Sequence, residues 1–325
     1  MSEKSISGRE VTIGDWKFNK LKLEDKDLFN KFLEATEYPT NLWYCNFDYL
    51  YASSRARGNI IWTIVDGLFV VFRLTIKNYL CLEFLPLGKG KPCEISDATY
   101  KCLKFCENWN AKLDKKGIVM NLNNLQLDFL SGCPSFKERF TAERKKGVER
   151  HISVRKLLEL KGNHFQNIRT QLNKFKKVYS DVIVRRADKE DQSALVELKE
   201  LWNEKSGNKY ISIWDNYFYH NLIKNFEELG HIVIVVEIKG KIAGMATGGI
   251  LPDGQAWACE LKYDVGYKGI CEFLYIEFVK EINQISPETE LINLGSDGSG
   301  KGGLRLFKDK FRPVFDTNLY RLYLT

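Results

Sequence analysis

The chain has 325 residues, 44% of them hydrophobic and 13% aromatic, with 49 Lys and Arg against 42 Asp and Glu for a net charge of +7. That length and apolar content supply core for two domains, so a compact soluble protein is expected. Eight cysteines without a C-x-x-C pair and four histidines at no zinc spacing argue against a metal site. They read as reduced, mostly buried thiols of a cytoplasmic protein, although Cys102 and Cys106 lie four apart on an expected helix. The start, Met1-Ser-Glu-Lys, is polar and has no signal-peptide character, and the longest apolar run, Ile60 to Ile76, is broken by Asp66, Gly67 and Arg73. No segment therefore has the length of a spanning helix.

In chain order, Val11 to Leu21 alternates loosely like a strand, and Leu23-Glu-Asp-Lys-Asp opens an amphipathic helix with Leu28, Phe29, Phe32 and Leu33. The aromatic-rich stretch Leu42 to Tyr51 reads as a second helix. Ile60 to Val65, Leu68 to Thr75 and Tyr79 to Pro86 read as a meander of three strands joined at Asp66-Gly67 and Lys77-Asn78. Ser96 is placed to cap a long helix through Leu113, which Gly117 ends before a strand at Ile118 to Leu122. The order is β, α, α, β, β, β, α, β.

The charge excess is local. Residues 137–186 hold 15 Lys and Arg but only 5 Asp and Glu, so the rest of the chain is slightly acidic. Within this segment a helical pattern starts near Ser153, is interrupted at Gly162, and resumes from Asn163 to Val178 with Phe165, Ile168, Leu172 and Phe175 on one stripe. Arg169, Lys174, Lys176 and Lys177 lie off that stripe. A charge run of this kind is commonly a solvated helix face, but few acids stand nearby to pair with these cations, and a concentrated patch suits a polyanion. His151 and His164 read as exposed or capping residues.

The C-terminal half repeats the order. A strand at Asp181 to Ala187 precedes helices at Lys189 to Asn203 and Ile213 to Leu229; strands follow at His231 to Ile238, Lys241 to Leu251 and Gln255 to Asp264. Tyr267 to Ile285 is helical, Leu291 to Gly295 a strand, and Leu319 to Leu324 a last strand. The repetition lies in pattern only, since no residue-level repeat is visible. It predicts an α+β fold of two like domains, residues 1–150 and 181–325, joined by a basic helical bridge over 151–180.

The most distinctive stretch follows the strand at Leu291. Glycines at 295, 298, 300, 302 and 303 lead into a helix with Leu304, Phe307 and Phe311 at helical spacing and Arg305, Lys308 and Arg312 among its other positions. Strand, glycine loop and cationic helix together read as an anion-facing turn, because glycines let backbone N–H groups approach a ligand at a helix start. The plain alternative is an ordinary loop before a solvated helix.

This order of elements resembles the GNAT acyltransferase fold. Two copies in one chain resemble the Fem-type aminoacyl-tRNA-dependent transferases and, more closely, the C-terminal domain of phosphatidylglycerol lysyltransferases and its soluble stand-alone relatives. The resemblance covers nearly the whole chain. It rests on Asn293-Leu-Gly-Ser-Asp297, Gly303-Leu-Arg-Leu-Phe-Lys308 and Pro313, and on Leu160-Lys-Gly162 with Arg169 and Asn173-Lys-Phe175. It implies a tandem GNAT-like architecture of mixed, mainly antiparallel sheets flanked by helices. It also implies an aminoacyltransferase that uses aminoacyl-tRNA as co-substrate, requires no cofactor, and acts on a lipid, peptide or small-molecule acceptor, with tRNA as partner and peripheral contact with an anionic membrane possible.

Two other classes stay open, a CoA-dependent N-acyltransferase using acetyl-CoA or another acyl-CoA, and a non-catalytic binding protein on the same scaffold. An acyl-CoA enzyme needs a glycine-rich turn after the fourth strand, and here that turn is Asp264-Val-Gly-Tyr-Lys-Gly-Ile270, with two glycines in an unusual order. Glu260, Lys262 and Asp264 alternate along that strand, and Asp297 ends the next. Glu260, Asp264 and Asp297 are the candidate catalytic carboxylates. Lys262, Gly303, Arg305, Lys308, Arg169 and Asn173 are candidate substrate-binding residues, and Lys174, Lys176 and Lys177 the polyanion-binding set. Glu260 and Lys262 can equally be a simple ion pair, and Trp257 and Tyr263 read as packing.

Overall fold

Short β-branched and aromatic runs punctuated by glycine turns, alternating with amphipathic stretches, build two compact units in a computed structural model that describes residues 9–54, 58–206, 215–298 and 302–325. The first unit comprises residues 1–146 and 317–325, the second 147–316. The helical segment 151–180 is part of the second unit, and the final strand returns to the first. The beginning of the helix expected from Ile213, and Gly300 in the glycine loop, lie outside the described residues.

In the first unit the elements are β1 (Glu10–Ile13), β2 (Trp16–Lys20), α1 (Lys26–Glu34), α2 (Phe47–Ser53), β3 (Asn59–Val65), β4 (Leu68–Leu74), β5 (Leu80–Leu82), α3 (Pro92–Asn110), β6 (Ile118–Asn123), α4 (Asn124–Leu130) and α5 (Phe136–Arg139). β7 (Phe140–Ser153) then leads the chain into the second unit. The sheet runs β1-β2-β3-β4-β5-β6 with β13 (Phe315–Leu324) beside β6; β5 and β6 are parallel and the other pairings antiparallel. The single strand expected over Val11 to Leu21 is a hairpin, because Gly14 takes φ 58° and turns the chain back after Ile13. α3 starts at Pro92, four residues before the Ser96 expected to cap it. Pro92 suits a first helical position, and the Glu94 carboxylate accepts from the Lys91 N–H at 2.7 Å.

Not all cysteines are reduced, contrary to expectation. Cys93 in α3 and Cys133 after α4 form a disulfide with their Cα atoms 4.8 Å apart. The bridge closes a 40-residue separation, so reduction should cost about 2–4 kcal/mol through the entropy of the unfolded chain. Urea unfolding of wild type with and without dithiothreitol, beside Cys93→Ser/Cys133→Ser, tests this; a midpoint unmoved by reductant would refute it.

The second unit contains α6 (Val154–Glu159), α7 (Gln166–Val178), β8 (Val182–Arg186), α8 (Gln192–Ser206), α9 (Asp215–Lys224), α10 (Phe226–Leu229), β9 (Ile232–Ile238), β10 (Lys241–Ile250), β11 (Ala256–Tyr263), α11 (Ile270–Ile285), β12 (Leu291–Ser296) and α12 (Gly303–Lys310). Its sheet order is β7-β12-β11-β10-β9-β8, antiparallel except for parallel β11 and β12. One face of the sheet buries Ile234, Val236 and Ala246 under Phe175, Leu274 and Phe278 of α7 and α11. The other buries Val233, Val235 and Met245 under Leu195, Leu198 and Tyr219 of α8 and α9. The fold class is the α+β arrangement that the sequence predicts.

Candidate functional site

Parallel β11 and β12 keep register only at Ala256↔Ile292 and Trp257↔Asn293, although both strands continue. Beyond that point they part. The divergence coincides with a bulge in β11: Ala258 pairs with Gly248 and Leu261 with Ala246, so Cys259 and Glu260 together oppose Thr247. The Thr247 hydroxyl, itself buried, accepts the Glu260 backbone N–H at 3.1 Å, which satisfies the displaced backbone. The corresponding pair in the first unit, β5 and β6, keeps register at Leu82↔Val119, but there the gap is laced shut. The Asn121 backbone N–H and side-chain amide both donate to the Glu83 carbonyl, at 3.1 and 3.2 Å, and Lys145 Nζ donates to Asn121 Oδ1 at 2.6 Å. The second unit therefore holds the candidate site.

After the bulge, Glu260 and Lys262 share one face and form an ion pair at 2.9 Å, with side chains 12% and 7% exposed. Lys262 Nζ lies 4.1 Å from the centre of the Trp202 ring, and Lys199, fully buried on α8, lies 5.3 Å from the rings of Trp202 and Tyr219. A carboxylate, two ammonium groups and an indole are thus gathered beside the opening. Lys199 and Trp202 carry no motif in the sequence, because their α8 spacing is that of an ordinary helix. Trp257 is buried, as expected of packing, and ring-packed against His231.

Asp264 lies just past β11, in the turn and not on its face. Its Oδ1 accepts from Lys205 Nζ at 2.8 Å and from the Gly266 N–H at 2.9 Å. Burial pushes this carboxyl up, but the Lys205 and Gly266 bonds prevail and hold it below the usual carboxylate range. Around it the Tyr267 N–H goes to the Asp264 carbonyl and the Ile270 N–H to that of Tyr267. At Gly269, φ is 88° and a Cβ would stand 3.0 Å from the Gln171 carbonyl and 3.2 Å from the Phe175 Cβ, so α7 lies tight against the start of α11.

On the far wall, Asp297 accepts the Val148 N–H at 2.9 Å through Oδ1 and Arg150 at 3.1 Å through Oδ2. Arg150, on β7 and 9% exposed, also meets Asp316 at 2.6 Å and Asp309 at 3.7 Å. Arg150 carries no signal in the sequence, since it sits in a polar strand and its partners lie 147 to 166 residues away. Lys308 and Arg305, grouped by sequence, separate in space. Lys308 turns inward, 5% exposed, and donates to the Gly295 and Ser296 carbonyls at 2.8 and 2.5 Å. Arg305 projects outward with its side chain 58% exposed, 3.6 Å from Asp309. Gly303 is exposed at the first turn. Leu304, expected on the apolar face, is 44% exposed.

Burial lowers the Lys308 ammonium from its ordinary 10.5 to about 7, against the upward pull of Glu149 and Asp297 and with a further lowering by Arg150. The unfolded chain then binds more protons than the folded one between about pH 7 and 10. Stability should rise with pH across that window, the full burden being present below it. Lys308→Met should flatten the rise, read as unfolding free energy against pH; equal slopes for both proteins would refute the burial cost.

The remaining expected residues lie apart from this opening. Arg169 donates to the carbonyls of Leu160 and Gly162, the latter at 2.8 Å, and so closes the loop after α6, while Asn173 is exposed on α7. Lys174, Lys176 and Lys177 are also exposed there, Lys176 with its ammonium 5.9 Å from the Phe273 ring centre. Other cations of residues 137–186, outside the α7 set, do meet acids. Arg139 pairs with Asp97, Arg150 with Asp297 and Asp316, Arg185 with Asp191 and Glu237, and Arg186 with Glu281, all but Arg185–Asp191 distant in sequence. His151 is buried, where exposure or capping was expected. Among the described residues no cluster of His, Cys, Asp and Glu is arranged to hold a metal, and no helix is long and apolar enough to cross a membrane.

Comparison with known proteins adds to this geometry. The family model described as phosphatidylglycerol lysyltransferase, C-terminal, matches residues 50–323. Among solved structures, a conserved protein of unknown function from Bacteroides thetaiotaomicron VPI-5482 is similar with a TM-score of 0.80 at 19% identity, covering 95% of this chain and 99% of its own. L-PGS from Bacillus licheniformis gives 0.66 at 14% identity over 92% and 91%, and FemX 0.62 at 11% over 95% and 97%. At such identities these likenesses establish the fold, which is tandem GNAT-like. The comparison with curated proteins returned no match. With its family match spanning most of its length, the chain belongs to the phosphatidylglycerol lysyltransferase C-terminal family, a family of transferases.

Proposed function

We propose that the chain is an aminoacyltransferase that moves an aminoacyl group from aminoacyl-tRNA to a hydroxyl or amine of a lipid, peptide or small-molecule acceptor. The observation that carries the choice of donor is the turn between β11 and α11. An acyl-CoA would place its pyrophosphate against free N–H groups there. Those of Gly266, Tyr267 and Ile270 are already engaged, and α7 packs against Gly269. The exposed lysines of α7 instead offer a surface to a longer polyanion. The family's name, a lysyltransferase, supports an aminoacyl donor.

In this reading the bond from the carbonyl carbon to the ribose oxygen of the donor breaks as the acceptor oxygen or nitrogen bonds to that carbon. Glu260 takes the acceptor's proton and returns it to the departing ribose oxygen. Lys262 and Lys199 supply positive potential for the oxyanion. Asp264 and Asp297, each already bonded to a cation and a backbone N–H, fix the two walls of the opening.

Charge reversal of Lys174, Lys176 and Lys177 to Glu tests the donor surface. Binding of tRNA should weaken, and the plot of log K against log salt should become shallower by about one unit for each phosphate no longer neutralised. Unchanged affinity and slope would return these lysines to a solvated helix face.

A further inference from the structure

We infer that the aminoacyl group transferred by this chain has an acidic side chain, aspartyl or glutamyl, and that a lysyl group is rejected; this names the donor's amino acid and so rests on the transfer reading. A cationic side chain is held in a protein by a carboxylate or by an aromatic face. At this opening the chain's own cations already engage both. Glu260 pairs with Lys262 at 2.9 Å, Asp264 with Lys205 at 2.8 Å and Asp297 with Arg150 at 3.1 Å. Glu149, fully buried on β7, accepts from the Asn293 amide at 3.0 Å. The centre of the Trp202 ring lies 4.1 Å from the Lys262 ammonium and 5.3 Å from that of Lys199, and the Tyr219 ring lies 5.3 Å from Lys199. The place that a lysyl ammonium would take is thus filled from within, by lysine.

The same groups set the sign of the field. Lys199, one turn from Trp202 on α8, is 0% exposed and Lys262 is 6% exposed, so salt and water screen both ammonium groups little. A third ammonium brought among them is repelled at low dielectric, whereas a carboxylate is attracted. Lys262, the less deeply buried of the two, makes the contact, because an ammonium has three N–H donors and Glu260 does not exhaust them. Lys199 acts through its charge without touching the donor. A neutral side chain gains nothing from this field, so asparaginyl and glutaminyl donors, which keep the shape and lack the charge, are the controls. The α-ammonium is common to every aminoacyl ester and drops out of the comparison.

The test offers the full chain tRNA charged in turn with labelled aspartate, glutamate, asparagine, glutamine and lysine, each with one mixture of phosphatidylglycerol vesicles, peptides and small amines, and reads kcat/KM for transfer. An acidic donor should exceed lysyl by about 100-fold or more, the size of a like-charge clash in a desolvated site. It should exceed its own amide by about tenfold, the worth of a charge-assisted hydrogen bond. Lys199→Met should lower the acidic-to-lysyl ratio by about tenfold. Its effect on the oxyanion is shared by all donors and cancels in that ratio, as does the fraction of the variant that folds. If the variant does not fold at all, the wild-type ratios decide. A preference for lysyl or for the amides, equal use of lysyl and acidic donors, or an unchanged ratio in Lys199→Met would overturn this inference and leave the transfer reading standing. So would transfer from none of the five with transfer from another charged tRNA, whereas transfer from no charged tRNA would sink both.

Discussion

Glu260→Gln should lower aminoacyl transfer by about 10²–10⁴-fold, the range for loss of a positioned general base. The side chain is poised for that role, being 12% exposed, on the bulge where β11 leaves β12, and 2.9 Å from Lys262. The amide keeps its shape and removes the charge. It also leaves the Lys262 ammonium without that carboxylate, at a stability cost of about 1–3 kcal/mol. If the two residues form only an ion pair, the stability loss should appear without the rate loss. Turnover per folded molecule separates the two. A variant with a lowered melting temperature and near-normal turnover would remove Glu260 from the mechanism.

Arg150→Met should destabilise the second unit by about 3–5 kcal/mol, the cost of breaking a buried charge pair by deleting one partner. Its guanidinium binds Asp297 and Asp316 and approaches Asp309, thereby joining β7, the end of β12 and α12. Met fills much of the volume but leaves the Asp297 carboxylate, 5% exposed, without its cation. Arg150→Lys should recover part of the loss, since a point charge replaces a fork but reaches one carboxylate well. Denaturant unfolding measures both. A loss below about 1 kcal/mol would mean that the cluster behaves as a surface network.

These two residues mark how far the sequence could be read. The meander over β3 to β5 and the strands β9 to β11 were legible because their Val, Ile and Phe runs end at Asp66-Gly67, Lys239-Gly240 and Pro252-Asp-Gly254. Glu260 and Lys262 were legible as a pair by alternation, although it is the bulge that turns them together toward α8. β7 was not legible. Its Thr141-Ala-Glu-Arg-Lys-Lys-Gly147 stretch is polar and mostly charged, so neither period nor propensity distinguishes it from a loop; β7 is a strand through its place in the sheet beside β13 and, over Glu149 to Ser153, its pairing with β12.

Arg150 was hidden by β7's polarity, and the Cys93–Cys133 bridge by the absence of any spacing rule for a separation of 40. In α12, sequence spacing grouped Arg305 with Lys308. Only the packing of Phe311 against Tyr275 and the carbonyls of Gly295 and Ser296 fixes which of the two turns inward. The expected boundary near residue 150 rested on repeated topology, and the compact units divide at 146/147 and 316/317, within β7 and β13.

The central claim, an aminoacyl-tRNA donor, is tested most directly by offering the purified wild-type chain two donors in parallel. One is tRNA charged with a labelled amino acid, the other labelled acetyl-CoA, each with phosphatidylglycerol vesicles and a mixture of peptide and small amine acceptors. Label should move from tRNA into acceptor above the rate without protein, with none taken from acetyl-CoA. Transfer of label from acetyl-CoA, with the aminoacyl-tRNA ester decaying only at its uncatalysed rate, would contradict the claim.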